Sequence, residues 1–202
     1  NKIFSEAYEN VPNGSYICPK CGWTMTFYGA QAQCCNKSCL KNIPKKDDLK
    51  PLRFQDGNWR LRHGVMRYMC LPGQLELKIQ KIVEKCGCGA ELWPDRDKYD
   101  VKITLPDGQV WAIDAKTHRN PYMLKKSIEK DYVFTHTKAQ KVFYVVPDDC
   151  LTDYPDYCKI CNDALASRFP DSIAKCVSMR IFSKELKGEV EDVKLRNYQK
   201  KS

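Results

Sequence analysis

Asp100, Asp114 and Lys116 stand where a strand–turn–strand pattern brings two carboxylates and an ammonium to one end of a sheet. Residues 99–105 (YDVKITL) alternate, Pro106-Asp107-Gly108 signals a turn, and VWAIDA over 110–115 predicts a second strand. Alternation puts Asp114 and Lys116 on one face and Ala115 on the other. Carboxylates and a backbone carbonyl are hard oxygen ligands, so Asp100, Asp114 and the carbonyl of Ala115 form a candidate site for Mg²⁺ or Mn²⁺. A lysine beside them can orient a water and neutralise charge developing on a phosphate. That set suffices for hydrolysing a phosphodiester. An isolated Asp-Ala-Lys triplet is more often a strand-end charge pair, and the surrounding elements are what give this one weight.

A second chemistry lies near the N-terminus. Five of the 12 cysteines fall between Cys18 and Cys39, as Cys18-Pro-Lys-Cys21-Gly22 and Cys34-Cys35-Asn-Lys-Ser-Cys39. Two knuckles joined by a short hairpin can set four thiolates tetrahedrally around zinc, which soft sulfur ligands prefer to magnesium or calcium. Cys18, Cys21 and Cys39 are three of the ligands, and either Cys34 or Cys35 can be the remaining one. Trp23, Phe27, Tyr28 and Lys20 could stack on bases and contact phosphates, or form the module's small core. Cys158 and Cys161, with Cys150 or Cys176, could hold a second metal, but buried free thiols are the plainer reading. Cys86 and Cys88 sit at a helix end.

The elements that must carry these residues follow from periodicity. Leu75, Ile79, Ile82 and Val83 share one helical face after Pro72-Gly73, with Gly87 as a stop. Short strands are expected over 90–93, 99–105 and 110–115, then a helix over 121–130. A buried-type strand over 141–146, a helix over 153–168 and a strand over 176–182 follow. The charged segment 183–202 reads as a tail. From residue 71 the order is α-β-β-β-α-β-α-β, a mixed α/β sheet flanked by helices. Residues 1–15 read as a lead-in, 41–52 as a linker, and 53–70 as a strand pair joined near Gly57-Asn58. The expected domains are a zinc module with its linker over 1–52 and a catalytic α/β domain over 53–202.

Composition sets limits. The 202 residues carry a net charge of +9, and residues 1–70 hold 11 Lys/Arg against 5 Asp/Glu. A basic N-terminal third suits a polyanion partner. No apolar run reaches the roughly 18 residues of a membrane span, and no signal-peptide core is visible, so a cytoplasmic location is expected. A reducing compartment also favours metal over disulfide use of the cysteines. The chain lacks an initiator Met, as a fragment would.

The paired acidic residues, the Asp-x-Lys triplet and the element order resemble the PD-(D/E)xK, restriction-endonuclease-like superfamily over roughly residues 71–182. The resemblance matches its first acidic residue to Asp100 and its (D/E)xK to Asp114 and Lys116. Tyr99 replaces the proline, and Pro94-Asp95 is a rival match, with Asp95 and Asp97 otherwise on an approach loop. Many members add an acidic residue on the first helix, a position that Glu76 fits. The strings LPGQLE, LWPDRDKYDVKI, WAIDAKTHRNPYML and FYVVPDD resemble the restriction-endonuclease-like protein encoded beside PIWI-like proteins with an RE signature in bacterial defence loci. The cysteine module resembles the zinc ribbons of bacterial NAD-dependent DNA ligases, and that likeness selects Cys34 over Cys35.

These resemblances imply a Mg²⁺- or Mn²⁺-dependent endonuclease with a structural Zn²⁺, acting on nucleic acid, DNA more than RNA, beside a PIWI-like protein partner. Asp100, Asp114, Lys116 and Glu76 would be its catalytic residues. His118 is a candidate phosphate or water contact, and Arg119, Lys125 and Lys126 lie where a substrate backbone could pass. His63, His136, Gln140 and Lys141 receive no role. The competing expectation is an inactive nuclease-like subunit that binds nucleic acid or protein.

Overall fold

A computed structural model describes residues 2–40, 43–52, 58–94, 98–130 and 137–199. Asp95, Asp97, His136 and the turn expected at Gly57 lie outside them. The chain divides into two compact units, Asn1–Gly73 and Gln74–Ser202.

In the first unit a short helix α1 (Lys2–Ala7) leads into β1 (Tyr8–Asn10), which pairs antiparallel with β5 (Trp59–Leu61). Among the described residues, 59–61 find their partner some 50 positions away in the chain. Arg60 holds the pairing, its Nε donating to Glu9 Oε1 at 2.8 Å while an Nη reaches Thr24 Oγ1 at 3.0 Å. A three-stranded antiparallel sheet orders β2 (Tyr16–Ile17), β3 (Thr24–Tyr28) and β4 (Gln31–Cys34). Its core is small: Tyr16, Met25 and three cysteines, with Phe27, Ile43 and Leu49 against them. Residues 43–52, read as a linker, fold back on this sheet, and Leu52 N–H donates to the Ser15 carbonyl at 2.8 Å. After α2 (His63–Val65) a π-helical turn, Met66–Cys70, precedes Pro72, which has no N–H to give an α-helical ladder.

The second unit is a mixed five-stranded sheet in the order β10-β9-β8-β7-β6, comprising β6 (Gly89–Leu92), β7 (Val101–Thr104), β8 (Val110–Ala115), β9 (Lys141–Val146) and β10 (Ala174–Ser178). β6, β7 and β8 form an antiparallel meander, and β8–β9 and β9–β10 pair in parallel. The turn chemistry explains the meander. Gly108 takes φ +84°, and Asp107 Oδ1 accepts the Gln109 N–H at 3.1 Å, closing the β7–β8 hairpin. Parallel pairs need crossovers, and helices supply them: α4 (Pro121–Lys130) between β8 and β9, then α5 (Asp149–Asp153) and α6 (Tyr157–Arg168) between β9 and β10. Asn120 starts α4 by accepting the Tyr122 N–H at 2.9 Å, with Pro121 at the first helical position.

Strand alternation divides the core in two. Trp111, Ile113, Phe143 and Val145 face α3 (Leu71–Lys85) and α7 (Met179–Gln199), meeting Leu75, Ile79, Val83, Phe182, Leu186, Val190 and Val193. Ala112, Val142, Tyr144 and Val146 face α4 and α6, meeting Leu124, Ile128, Tyr157, Cys161 and Leu165. Both faces of the parallel strands are thus covered, which is why KVFYVV is apolar almost throughout. The segment read as a charged tail is the 21-residue helix α7, starting where Ser178 Oγ accepts the Ile181 N–H at 3.4 Å. The strand expected over 176–182 accordingly ends at Ser178. Among the described residues no helix is long and apolar enough to cross a membrane.

Candidate functional site

Two groups of chemistry-bearing residues emerge, one in each unit. In the second unit the site is built where β8 ends. Asp114 pairs in register with Tyr144 of β9, and Lys116 N–H extends the ladder to the Val145 carbonyl at 2.9 Å. On the other side Asp100 continues the ladder of β7, its N–H donating to the Ile113 carbonyl at 3.0 Å. Its Oδ2 accepts the Ala115 N–H at 2.5 Å, a charge-assisted bond that fixes the carboxylate against β8. The register of three strands therefore sets Asp100 beside Asp114.

Asp114 is 3% exposed. Its Oδ2 is fully enclosed and meets the Lys116 ammonium at 2.7 Å in an ionic contact rather than a well-aligned hydrogen bond. Burial pushes its carboxyl up to about 7; Lys116 opposes that rise and neighbouring Asp100 adds to it. The result is a buried acid that titrates near neutrality between one cation and one like charge, the arrangement that marks functional carboxylates. His118, two residues after Lys116, is half-buried, and burial and the Lys116 charge hold its imidazole below the usual histidine range. Its carbonyl accepts the Tyr157 hydroxyl at 2.6 Å, which ties the loop after β8 to α6.

Glu76 projects from α3 and is 7% exposed. Its Oε2 accepts the indole N–H of Trp93 at 2.7 Å. Glu76, Asp100 and Asp114 do not bring three ligand atoms within 4.8 Å of one another; among the described residues the four-cysteine group alone does so. Arg119 is committed to Asp149 and Asp153, at 2.9 and 2.6 Å, so it braces the loop against α5. Lys125 lies 3.9 Å from Glu129 on the surface of α4. Lys141, unassigned by sequence, sits 4.6 Å over the Trp111 ring and 2.6 Å from Glu189, a packing role. Trp93 went unnoticed in the sequence, where nothing marks a tryptophan for φ +51°.

In the first unit the sulfurs of Cys18, Cys21, Cys34 and Cys39 all lie within 4.8 Å of one another. Cys21 and Cys34 are 3.7 Å apart. Four sulfurs at the ~2.3 Å of a zinc–thiolate bond would stand about 3.8 Å apart at the corners of a tetrahedron. The knuckle geometry also fits. Cys18 N–H donates to the Trp23 carbonyl at 2.7 Å, and Gly22 N–H to the Cys18 carbonyl at 2.9 Å. Gly22 makes this turn at φ +72°, where a side chain would be strained. Burial and mutual repulsion push the Cys39 thiol up to about 12 and Cys34 higher still. A cation is what would let the four ionise together, and they can hold a metal ion such as zinc. Cys35 lies outside the group, its thiol directed to the His63 carbonyl at 3.9 Å. Phe27 packs edge-on against Tyr16 at 5.1 Å, and Arg60 lies 5.0 Å over Trp23, so both rings serve the module's own packing. Tyr28 is 78% exposed near the hairpin tip.

Cys158, Cys161 and Cys176 are neighbours between α6 and β10, but they do not gather as closely as the N-terminal four. Cys161 Sγ points to the Pro121 carbonyl at 3.8 Å, and Cys150 Sγ to the His118 carbonyl at 3.7 Å. Cys150, Cys161 and Cys176 pack as buried thiols, with Cys158 partly buried beside them.

Comparison with curated proteins and with solved structures gives no match. A family model described as "REase associating with pPIWI_RE" matches residues 73–193, from the start of α3 through the sheet and both acidic strand ends into α7. With more than half of the chain matched, the protein belongs to the family of REases that associate with pPIWI_RE.

Proposed function

We propose that the protein is a metal-dependent endonuclease of the PD-(D/E)xK, restriction-endonuclease-like type. It would hydrolyse phosphodiester bonds of nucleic acid, DNA in preference to RNA, in bacterial defence alongside a PIWI-like partner. The observation that carries this reading is the end of β8, where Asp114 is buried beside Asp100 with the Lys116 ammonium at 2.7 Å. The family's description as an REase supports it.

The donor set suits a hard divalent cation. Asp100, Asp114 and the Ala115 carbonyl would hold Mg²⁺ or Mn²⁺, because two carboxylates and a carbonyl leave room for the waters that Mg²⁺ keeps. Such an ion, when bound, supplies a Lewis acid for the phosphoryl oxygens and a water of lowered pKa. The chain's own residues do the rest. The backbone bond from Ala115 N–H fixes Asp100, and the buried setting of Asp114 makes its ionisation depend on a nearby cation. Lys116 would neutralise charge growing on the phosphate, in a site partly withdrawn from water. Glu76 would assist from α3. The zinc module would add basic charge for the nucleic-acid backbone.

Plasmid DNA cleavage in Mg²⁺ by the zinc-loaded chain, with and without its PIWI-like partner, is the test. Asp114→Ala and Lys116→Ala should each abolish cleavage while leaving circular dichroism and zinc content unchanged. Undiminished cleavage in both variants would overturn the assignment, and salt-dependent binding without cleavage by the wild type would favour a nuclease-like binding subunit.

A further inference from the structure

Trp93 breaks three ordinary expectations at once. Its backbone takes φ +51°, a region that bulky residues avoid. The residue is 53% exposed, although Leu92 before it packs against the core. And its indole N–H does not face water but donates to Glu76 Oε2 at 2.7 Å, a carboxylate that is itself 7% exposed. A buried carboxyl oxygen accepting at 2.7 Å makes a short, directional bond, so the plane of the ring is set as well as its location. Strained backbone of this kind persists only where the surroundings over-determine it, and it concentrates at working sites.

The surroundings here are those of the candidate active site. Trp93 N–H donates to the Asp100 carbonyl at 2.9 Å, so the residue that carries the indole is cross-strand neighbour to a proposed metal ligand. We propose that Trp93 is a nucleobase-stacking platform beside the scissile phosphate, its exposed face held in position by Glu76. The inference rests on the nuclease reading and deepens it by naming how the substrate is seated. An aromatic face accepts any base, because every base offers a π surface, so such a platform would favour unstacked or single-stranded nucleotides without fixing their sequence. A ring already oriented also loses less freedom on binding than a mobile one.

The test measures binding apart from cleavage. Fluorescence anisotropy of a labelled 12-nucleotide single strand is followed with the full zinc-loaded chain, with Ca²⁺ in place of Mg²⁺. Trp93→Ala should weaken binding about tenfold, within the roughly fivefold to hundredfold range for loss of a base stack. Trp93→Phe, which keeps an aromatic face, should stay within about threefold of wild type. An abasic position scanned along the strand should reproduce the loss at one place with wild type, and cost nothing further there with Trp93→Ala. Wild-type affinity in Trp93→Ala, or equal losses in the Ala and Phe variants with matching drops in melting temperature, would overturn the platform while the nuclease reading stood on its cleavage assay. A wild type that neither binds nor cleaves would bring down both.

Discussion

Replacing Asp114 by Asn should make the protein more stable at pH 8 and no more stable at pH 5. The reasoning starts from a carboxyl that is 3% exposed and whose pKa is raised from 3.8 to about 7 by burial. A rise of about 3 pH units corresponds to roughly 4 kcal/mol of disfavoured ionisation, at ~1.4 kcal/mol per unit. The folded carboxyl holds its proton more tightly than the unfolded one, so unfolding releases a proton between pH 4 and 7. Stability of the wild type therefore falls as pH rises through that window and levels off above about 7. Asn has nearly the same shape and no charge to desolvate. Lys116 loses its partner, but its side chain is 23% exposed and can turn to water. Allowing for that loss, we expect a net gain of about 2 kcal/mol at pH 8, as when a buried ion is neutralised. For a chain of this size that is about 4–8 °C in melting temperature. Thermal unfolding by circular dichroism at pH 5, 6, 7 and 8, in Mg²⁺-free buffer with zinc retained, gives the answer. A variant less stable than wild type at pH 8, or a gap of equal size at pH 5 and pH 8, would refute the argument. Loss of cleavage together with gained stability would mark Asp114 as a group retained for chemistry at the expense of the fold.

Other outcomes follow from the same geometry. Cys18→Ser and Cys39→Ser should each lose one equivalent of bound zinc by mass spectrometry and unfold the first unit, whereas Cys35→Ser should retain the metal. Because a proton and Mg²⁺ would compete for Asp114, the Mg²⁺ concentration needed for half-maximal DNA cleavage should fall as pH rises through about 7, and a requirement unchanged between pH 6 and 8 would contradict that assignment. Phe182→Ala, at a position with no exposure in the α3–α7 core, should cost about 3–5 kcal/mol in denaturant melts. Asn120→Ala should remove the cap of α4 and cost about 1 kcal/mol.

Much of the sheet could be read in advance because its signals are local. Pro106-Asp107-Gly108 specifies a hairpin, Asn120-Pro121 a helix start, and KVFYVV a strand buried on both faces. Cys34 and Cys35 illustrate where local reading stops. Cys34 closes β4 and Cys35 lies just beyond it, and the pairing of Cys34 with Met25 is what turns the Cys34 sulfur inward. The β1–β5 pair was invisible because its two halves are far apart in sequence and each is three residues long. Helix α7 was legible in principle: Phe182, Leu186, Val190 and Val193 recur at helical spacing behind Ser178. Dense Lys and Glu between them masked the stripe. Trp93 had no sequence signal, since its conformation is imposed by Glu76 and Asp100 from other elements.

The two helices that close one face of the sheet come from opposite ends of the second unit. Leu75 of α3 and Val193 of α7 belong to one core, yet all five strands of that sheet lie between them in the chain. Neither helix can complete the face alone, and the parallel pairs β8–β9 and β9–β10 also join distant segments. Such a topology makes its decisive contacts late and slowly, because loop-closure entropy must be met before they form. The acidic strand ends would then reach their final geometry only after α7 docks, so a chain still emerging from the ribosome would hold the residues of the site without yet holding its shape.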